Sequence, residues 1–207
     1  FKKESFLKIL ITQMDHVIIP KLKFGKKTLG EENCNRDEND EFNLHGIDVL
    51  QKGKVIQVGA INHYPKETIE MFELERLNNN WFITWKGCIS INNNVFLNDL
   101  SFKEDGTFYT TVMFDDDDIT WTKWLISSIF KKDTGYIKYW DGRNFQILEN
   151  SNGVQPNGIA FDKDNKLIYV AYNQGNLINI FDPIAKKVIN SIYINSPDNI
   201  TIDNNSI

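Results

Sequence analysis

The sequence has no excess of positive charge, few cysteines and no long hydrophobic run. Its formal net charge is −5, so it lacks the basic surface that binds nucleic acid, and we expect no nucleic-acid partner. The two cysteines, Cys34 and Cys88, do not have the spacing of a metal site. A disulfide between them and two free thiols are both compatible with the sequence. No apolar run reaches the roughly 18 to 20 residues of a membrane span.

Residues 1–41 form an N-terminal segment with a poorly defined structural pattern. Residues 6–19 are apolar but interrupted by polar side chains, which predicts a first strand or helix, with a truncated signal segment as the alternative. Residues 25–41 are a polar linker, and the charged run at 36–41 predicts a solvated loop. The chain begins at Phe1 and ends within a strand-and-turn pattern, so we expect a fragment or a processed product that is inactive by itself.

A short polar motif occurs four times after residue 42, each time followed by alternating apolar residues and a turn. The third copy is the clearest, because Asn157-Gly158 precedes Ile159 and Phe161, which alternate with small or polar residues. The four copies are His45-Gly46, Asn98-Asp99, Asn157-Gly158 and Asp198-Asn199. Units of four strands that repeat about every 40 to 50 residues are typical of a β-propeller.

The alternation predicts an all-β fold with three four-stranded blades and the start of a fourth at Asp198. The predicted strands cover residues 45–50, 54–61, 68–75 and 81–85 in the first blade, 100–102, 107–114, 136–140 and 145–148 in the second, and 158–161, 167–172, 176–181 and 187–194 in the third. We therefore expect a partial propeller over residues 42–207.

The second blade contains an insertion that predicts a helix over residues 119–130. Acidic residues 115–118 precede it and two lysines follow it, as suits the two ends of a helix dipole. One face of this helix combines apolar residues with one serine: Trp121, Trp124, Leu125, Ser128 and Ile129. The helix either packs on its own propeller or faces a membrane or lipid surface, where tryptophan is favoured.

The four motifs predict a metal site. In a propeller the first strand of each blade lines the central tunnel, so residues just before these strands gather at one mouth. They are His45, Asn98, Asp99, Asn157, Asp198 and Asn199. Amide and carboxylate oxygens favour Ca²⁺, which accepts about six to eight oxygens, over Zn²⁺, which prefers His and Cys. The alternative is that these residues only cap strand ends.

Two of the three histidines, His45 and His63, are candidates for catalysis. His63 ends the strand that follows the strand of His45, so antiparallel pairing would bring the two rings close. One imidazole could then take a proton from water while the other holds its tautomer, next to a metal that polarises a carbonyl. A structural role at a strand end is the alternative, and His16 has no such context.

These motifs together resemble the paraoxonase/arylesterase family, within the gluconolactonase-like calcium propellers. The order and spacing agree over about residues 42–207. The matching motifs include Phe42-Asn43-Leu44-His45-Gly46-Ile47, Asn62-His63-Tyr64-Pro65, Leu97-Asn98-Asp99-Leu100, Pro156-Asn157-Gly158-Ile159 and Pro197-Asp198-Asn199-Ile200. Each motif is common by itself, whereas the combination is specific.

The resemblance implies a six-bladed propeller with two calcium ions and hydrolysis of lactones and aryl esters. The implied ligands of the catalytic calcium are Asn98, Asn157, Asp198 and Asn199, and those of the structural calcium are Asp99 and the carbonyl of Ile47. His45 and His63 match the family's His dyad. The resemblance also implies a lipid-facing helix at 119–130 and a secreted or membrane-associated protein.

Three departures from the family pattern keep other functions open. An acidic pair from the first blade has no counterpart, which should weaken both calcium sites. The residues Val112-Met113 replace the family's Asn-Asp, and Gln155 replaces an aromatic residue. One alternative is a non-catalytic, membrane-associated, chaperone-like member of the same family. Another is a propeller like the sugar lactonases or strictosidine synthases.

Overall fold

Alternating apolar and polar residues build most of the chain into antiparallel strands. The computed structural model describes residues 9–11, 16–18, 20–78, 80–91, 95–115 and 121–202. The first two strands, β1 (Ile9–Ile11) and β2 (His16–Ile18), form an antiparallel pair. The predictions for residues 6–8, 12–15 and 19, for residues 116–120 and for the turn at 203–205 lie outside the described residues.

The first sheet has five strands rather than the four that the sequence predicts. The four predicted strands are present as β4 (Leu44–Lys52), β5 (Val55–Asn62), β6 (Thr68–Leu77) and β7 (Asn80–Ser90), and the fifth is β3 (Lys21–Phe24). The strand order is β3-β7-β6-β5-β4. Strand β3 pairs in parallel with β7 at the outer edge, and a strand of only four residues carries little sequence signal.

The segment that follows β3 is fastened to the first sheet. A disulfide joins Cys34 to Cys88 of β7, which settles the question that the sequence left open. The prediction of a solvated loop at 36–41 is wrong for Arg36, because its side chain is only 4% exposed and pairs with Glu70 of β6. The neighbouring residues 37–41 are exposed, as predicted.

The second sheet contains four strands and the inserted helix. Its strands are β8 (Phe96–Phe102), β9 (Phe108–Phe114), β10 (Tyr136–Trp140) and β11 (Phe145–Ile147), and α1 (Trp121–Phe130) lies between β9 and β10. In the part of the chain that the structure describes, no helix is long and apolar enough to cross a membrane.

The third sheet is a four-stranded meander. Its strands are β12 (Pro156–Asp162), β13 (Leu167–Tyr172), β14 (Leu177–Asp182) and β15 (Lys187–Tyr193). The predicted fourth strand is not formed over 198–202, which carries no strand assignment. A strand requires a paired neighbour, whereas this segment contacts β12 through the hydrogen bond from Gly158 N–H to the carbonyl of Asp198.

Apolar side chains fill the spaces between consecutive sheets. One cluster joins the first and second sheets and includes Ile61, Phe102 and Phe108, and another joins the second and third sheets. The innermost strands also connect directly, since Asp48 of β4 accepts a hydrogen bond from the N–H of Phe102 in β8 at 2.7 Å. The fold is therefore all-β and propeller-like, and the six blades of the parent fold stay a prediction.

Candidate active site

Three of the four repeated polar dipeptides lie at bulges inside the innermost strands, not before them, and the fourth, Asp198-Asn199, lies outside any strand. Pairing shifts by one residue between Leu44 and Ile47 in β4. The same shift occurs across Asn98-Asp99 in β8 and across Asn157-Gly158 in β12. A bulge turns side chains away from the regular alternation and is common beside active sites. The structure therefore corrects the position of these residues while keeping them at one end of neighbouring strands.

Two glycines let the backbones of adjacent sheets approach closely at these bulges. A Cβ atom on Gly46 would lie 2.2 Å from the carbonyl oxygen of Asn98, and one on Gly158 would lie 2.3 Å from that of Asp198. Larger residues would push the sheets apart. The glycines therefore bring His45 next to Asn98, and Asn157 next to Asp198 and Asn199.

Thr111 of β9 connects the second and third motifs. Its hydroxyl donates to the carbonyl oxygen of Asn157 at 2.6 Å and accepts the N–H of Asp99 at 3.1 Å. The carboxylate of Asp99 accepts the N–H of Ile159 at 3.1 Å. These bonds fix the positions of Asn98, Asp99 and Asn157 relative to one another, with all three side chains buried.

Negative charge is concentrated around Asp99. Burial, with a smaller contribution from the nearby carboxylates of Asp48 and Asp198, raises the pKa of Asp99 to about 6, against the hydrogen bonds from Ile159 and Leu100 that lower it. Burial also raises the pKa of Asp48. A cation among these carboxylates would stabilise their charged forms.

The donor atoms fit a hard cation. The side-chain oxygen of Asn157 is buried without a hydrogen-bond partner, although buried polar atoms normally have one. The amide nitrogen of Asn98 lies 3.8 Å from the sulfur of Met113. Because the nitrogen faces Met113, the amide oxygen of Asn98 need not face it. Within the described residues no group of three or more His, Cys, Asp or Glu side chains is arranged for a metal, so a site here needs amide or carbonyl oxygens beside its carboxylates.

The predicted ligands are not equally enclosed. Asp198 and Asn199 are exposed. Ile47 lines a cavity of about 200 Å³ between the innermost strands, together with Asp48, Asp99 and Lys163. The cavity places Ile47 near Asp99, the other residue of the implied structural site.

The two predicted catalytic histidines are in contact. Nδ1 of His45 lies 2.9 Å from Nε2 of His63, with the rings nearly perpendicular. Burial lowers the pKa of His45, and His63 lowers it further, against the opposing influence of Asp198 and Glu67. A lowered pKa keeps His45 neutral near pH 7, which is the state that can accept a proton.

Sequence reasoning missed Glu67, which lies behind His63. Its carboxylate is 2.9 Å from Nδ1 of His63 and accepts the N–H of Leu97 at 2.7 Å. Glu67 is four residues from His63, and a nearby acid beside a candidate histidine is the signal that could have drawn attention to it. Phe96 also stacks on His63, at 4.2 Å between ring centroids.

The loop between His63 and Glu67 is organised by buried Asn62. The amide of Asn62 donates to the carbonyl oxygens of Tyr64 at 2.7 Å and Lys66 at 3.2 Å. Its oxygen accepts the N–H of Asn43 at 2.8 Å. The loop that carries the acid and the second histidine is thereby held against β4 and β5.

Comparison with known protein families identifies a relationship over most of the chain. The model of a protein family described as Arylesterase matches residues 27–207. No curated protein matches the chain.

Proposed function

The chain belongs to the arylesterase family, a family of ester hydrolases, and we propose that it acts as a calcium-dependent hydrolase of lactones and aryl esters. The contact between His45 and His63 carries this proposal. The contact lies next to the strand that bears Asn98 and Asp99, so the proposed base would be adjacent to the proposed cation site. Such a pair suits hydrolysis because it combines proton transfer with charge stabilisation.

We propose that two groups of residues hold calcium. Asn98, Asn157, Asp198 and Asn199 would hold the catalytic ion, and Asp99 with the carbonyl of Ile47 would hold the structural ion. The buried, unpartnered oxygen of Asn157 and the crowded carboxylates around Asp99 support this assignment. When bound, calcium supplies positive charge that polarises a carbonyl and stabilises negative charge on its oxygen.

In the proposed reaction His45 is the general base and His63 orients it. Nδ1 of His45 faces His63, so Nε2 of His45 takes a proton from water as the water oxygen bonds to the carbonyl carbon. The tetrahedral species then breaks its bond to the alcohol oxygen. His45 returns the proton to that oxygen, and the acid and the alcohol leave.

The test is turnover of phenyl acetate and of a simple lactone by the full-length protein, with and without a calcium chelator. His45→Gln should lower kcat on the order of 10² to 10⁴-fold, because general base catalysis contributes about that much. His16→Gln is the matched control and should leave kcat unchanged. Turnover that survives complete removal of calcium would sink the proposal.

A measurement of thermal stability separates the metal site from the chemistry. Calcium should raise the Tm of the wild type, because a ligand that binds only the folded state stabilises it. The increase should be smaller in Asp99→Asn, which lacks one negative ligand. A Tm that does not respond to calcium would refute the assigned site whatever the activity.

A second candidate function is a non-catalytic, membrane-associated role in the same family. The exposed apolar side chains of Ile126, Ile129 and Phe130 on α1 support it, as does Met113 beside Asn98. Calcium binding without ester turnover would favour this role over the first. The partner in that case is a lipid surface, which the protein contacts through residues 119–130.

A further inference from the structure

We propose that Glu67 is a positioning residue that fixes the tautomers of both histidines in the candidate active site. This role in catalysis depends on the hydrolase function proposed above, whereas the effect on the tautomers does not. Three groups contact one another in succession: the carboxylate of Glu67, the ring of His63 and the ring of His45.

The hydrogen-bonding directions follow from the chemistry of the first group. An ionised carboxylate only accepts hydrogen bonds, and both oxygens of Glu67 face Nδ1 of His63, at 3.1 and 2.9 Å. Nδ1 of His63 must therefore carry the proton. In a neutral ring the other nitrogen, Nε2, is then an acceptor.

The same reasoning extends to the outer ring. Nε2 of His63 lies 2.9 Å from Nδ1 of His45. Because the first atom accepts, the second must donate, and His45 carries its proton on Nδ1. Nε2 of His45 is left with its lone pair, which is the atom that the proposed reaction needs as a base.

The carboxylate is held in place by groups that do not belong to the histidine pair. Oε1 of Glu67 accepts the N–H of Leu97 at 2.7 Å, next to Asn98 in β8. The side chains of Glu67 and His63 are each only 14% exposed, and Phe96 covers one face of His63. Rotation of either side chain away from the other would break these contacts.

Glu67→Gln makes the inference testable, because it keeps the shape and replaces one oxygen by a donor. The glutamine oxygen can still accept the N–H of Leu97, and its NH₂ group then faces Nδ1 of His63. That nitrogen must become an acceptor, so the proton of His63 moves to Nε2. The proton of His45 must move to Nε2 as well, and the lone pair of the base is lost.

The direct measurement is ¹⁵N NMR of the protein labelled on histidine, at a pH where both rings are neutral. Ring signals are assigned with His45→Gln and His63→Gln. We expect both rings to be protonated on Nδ1 in the wild type, and both to shift toward protonation on Nε2 in Glu67→Gln. A wild type with His63 protonated on Nε2, or a variant with unchanged tautomers, would overturn the inference.

Glu31→Gln is the matched control. Oε2 of Glu31 also accepts a backbone N–H, that of Ser90 at 2.9 Å, and it has no part in the histidine contacts. This control should leave the tautomers and kcat unchanged. Equal tautomer shifts in both variants would show a general effect of losing a carboxylate and would contradict the specific role of Glu67.

Kinetics then tests the catalytic consequence. Glu67→Gln should lower kcat on the order of 10² to 10⁴-fold with little change in KM, because a base in the wrong tautomer cannot accept the proton. If the tautomers behave as expected and the wild type hydrolyses no ester, only the proposed function fails. If the wild type is active and Glu67→Gln retains full kcat, the positioning role fails.

Discussion

At the residue scale, the charges of Arg36 and Glu70 form a buried ion pair. Their side chains are 4% and 1% exposed and lie 2.9 Å apart. Glu70 also accepts hydrogen bonds from the hydroxyl of Thr68 at 2.7 Å and the indole N–H of Trp85 at 2.7 Å. A buried ion pair with its hydrogen bonds satisfied specifies one arrangement of its partners. Here it holds the segment after β3 against β6, close to the loop of His63.

We predict that Arg36→Met lowers the free energy of unfolding by about 3 to 5 kcal/mol, because it leaves a buried charge uncompensated. The exposed Arg143 is the matched control, and Arg143→Met should change stability by less than about 0.5 kcal/mol. Urea unfolding measures both. Adding Glu70→Gln to Arg36→Met should recover part of the lost free energy of unfolding, because it removes the uncompensated charge. Equal effects of Arg36→Met and Arg143→Met would contradict the prediction.

At the element scale, the helix α1 differs from its predicted amphipathic arrangement. Leu125 of the predicted apolar face is half-buried and Ile129 of that face is exposed, whereas Ile126 and Phe130 are exposed outside it. The side chains of Trp121, Trp124 and Ser128 lie outside the description. Ile126, Ile129 and Phe130 are three and four residues apart, so they share one side of the helix.

We predict that Phe130→Glu weakens binding to phosphatidylcholine vesicles at least about tenfold. Burying a phenylalanine side chain contributes about 1.5 to 3 kcal/mol, and about 1.4 kcal/mol corresponds to tenfold in affinity. Ile184→Glu is the control, since Ile184 is 85% exposed in a turn of the third sheet. Flotation with vesicles measures binding. A wild type that does not float, or an equal loss in the control, would exclude a lipid contact through α1.

At the scale of the whole molecule, the three sheets pack in chain order, and residues 21–43 are attached to the first sheet. The Cys34–Cys88 disulfide spans 54 residues of sequence, and it therefore links the segment before β4 to the end of the first sheet. Together with the pairing of β3 and β7, it attaches the segment 21–43 to this sheet. The family match begins at residue 27, within the same segment.

We predict that replacing both cysteines by alanine lowers the free energy of unfolding by about 4 kcal/mol. A cross-link over a loop of this length removes conformational entropy from the unfolded chain by about that amount. Reduction of the wild type should give a similar loss in urea unfolding and should not affect the double variant. Unchanged stability after reduction would show that packing alone holds the segment.

Local sequence pattern predicts most strands of the three sheets, although it misses β3 and predicts a strand at 198–202 that does not form. Strands of the three sheets follow from side chains that alternate between a buried and an exposed face, a property that each short stretch carries within itself. The pairing of β4 with β5, joined by the tight connection at 53–54, also brings His45 and His63 together from local pattern alone.

Contacts between residues that are distant in sequence, or that depend on backbone direction, cannot be predicted from local pattern and become visible once the sheets are packed. Glu67 reaches Leu97, Arg36 reaches Glu70, and Cys34 reaches Cys88, because packing of sheets and segments sets these distances. The bulges at His45-Gly46, Asn98-Asp99 and Asn157-Gly158 likewise depend on strand pairing, which shifts register where two backbones must approach. A periodic pattern specifies which face of a strand is buried, whereas the identity of the neighbour on that face is a property of the assembled fold.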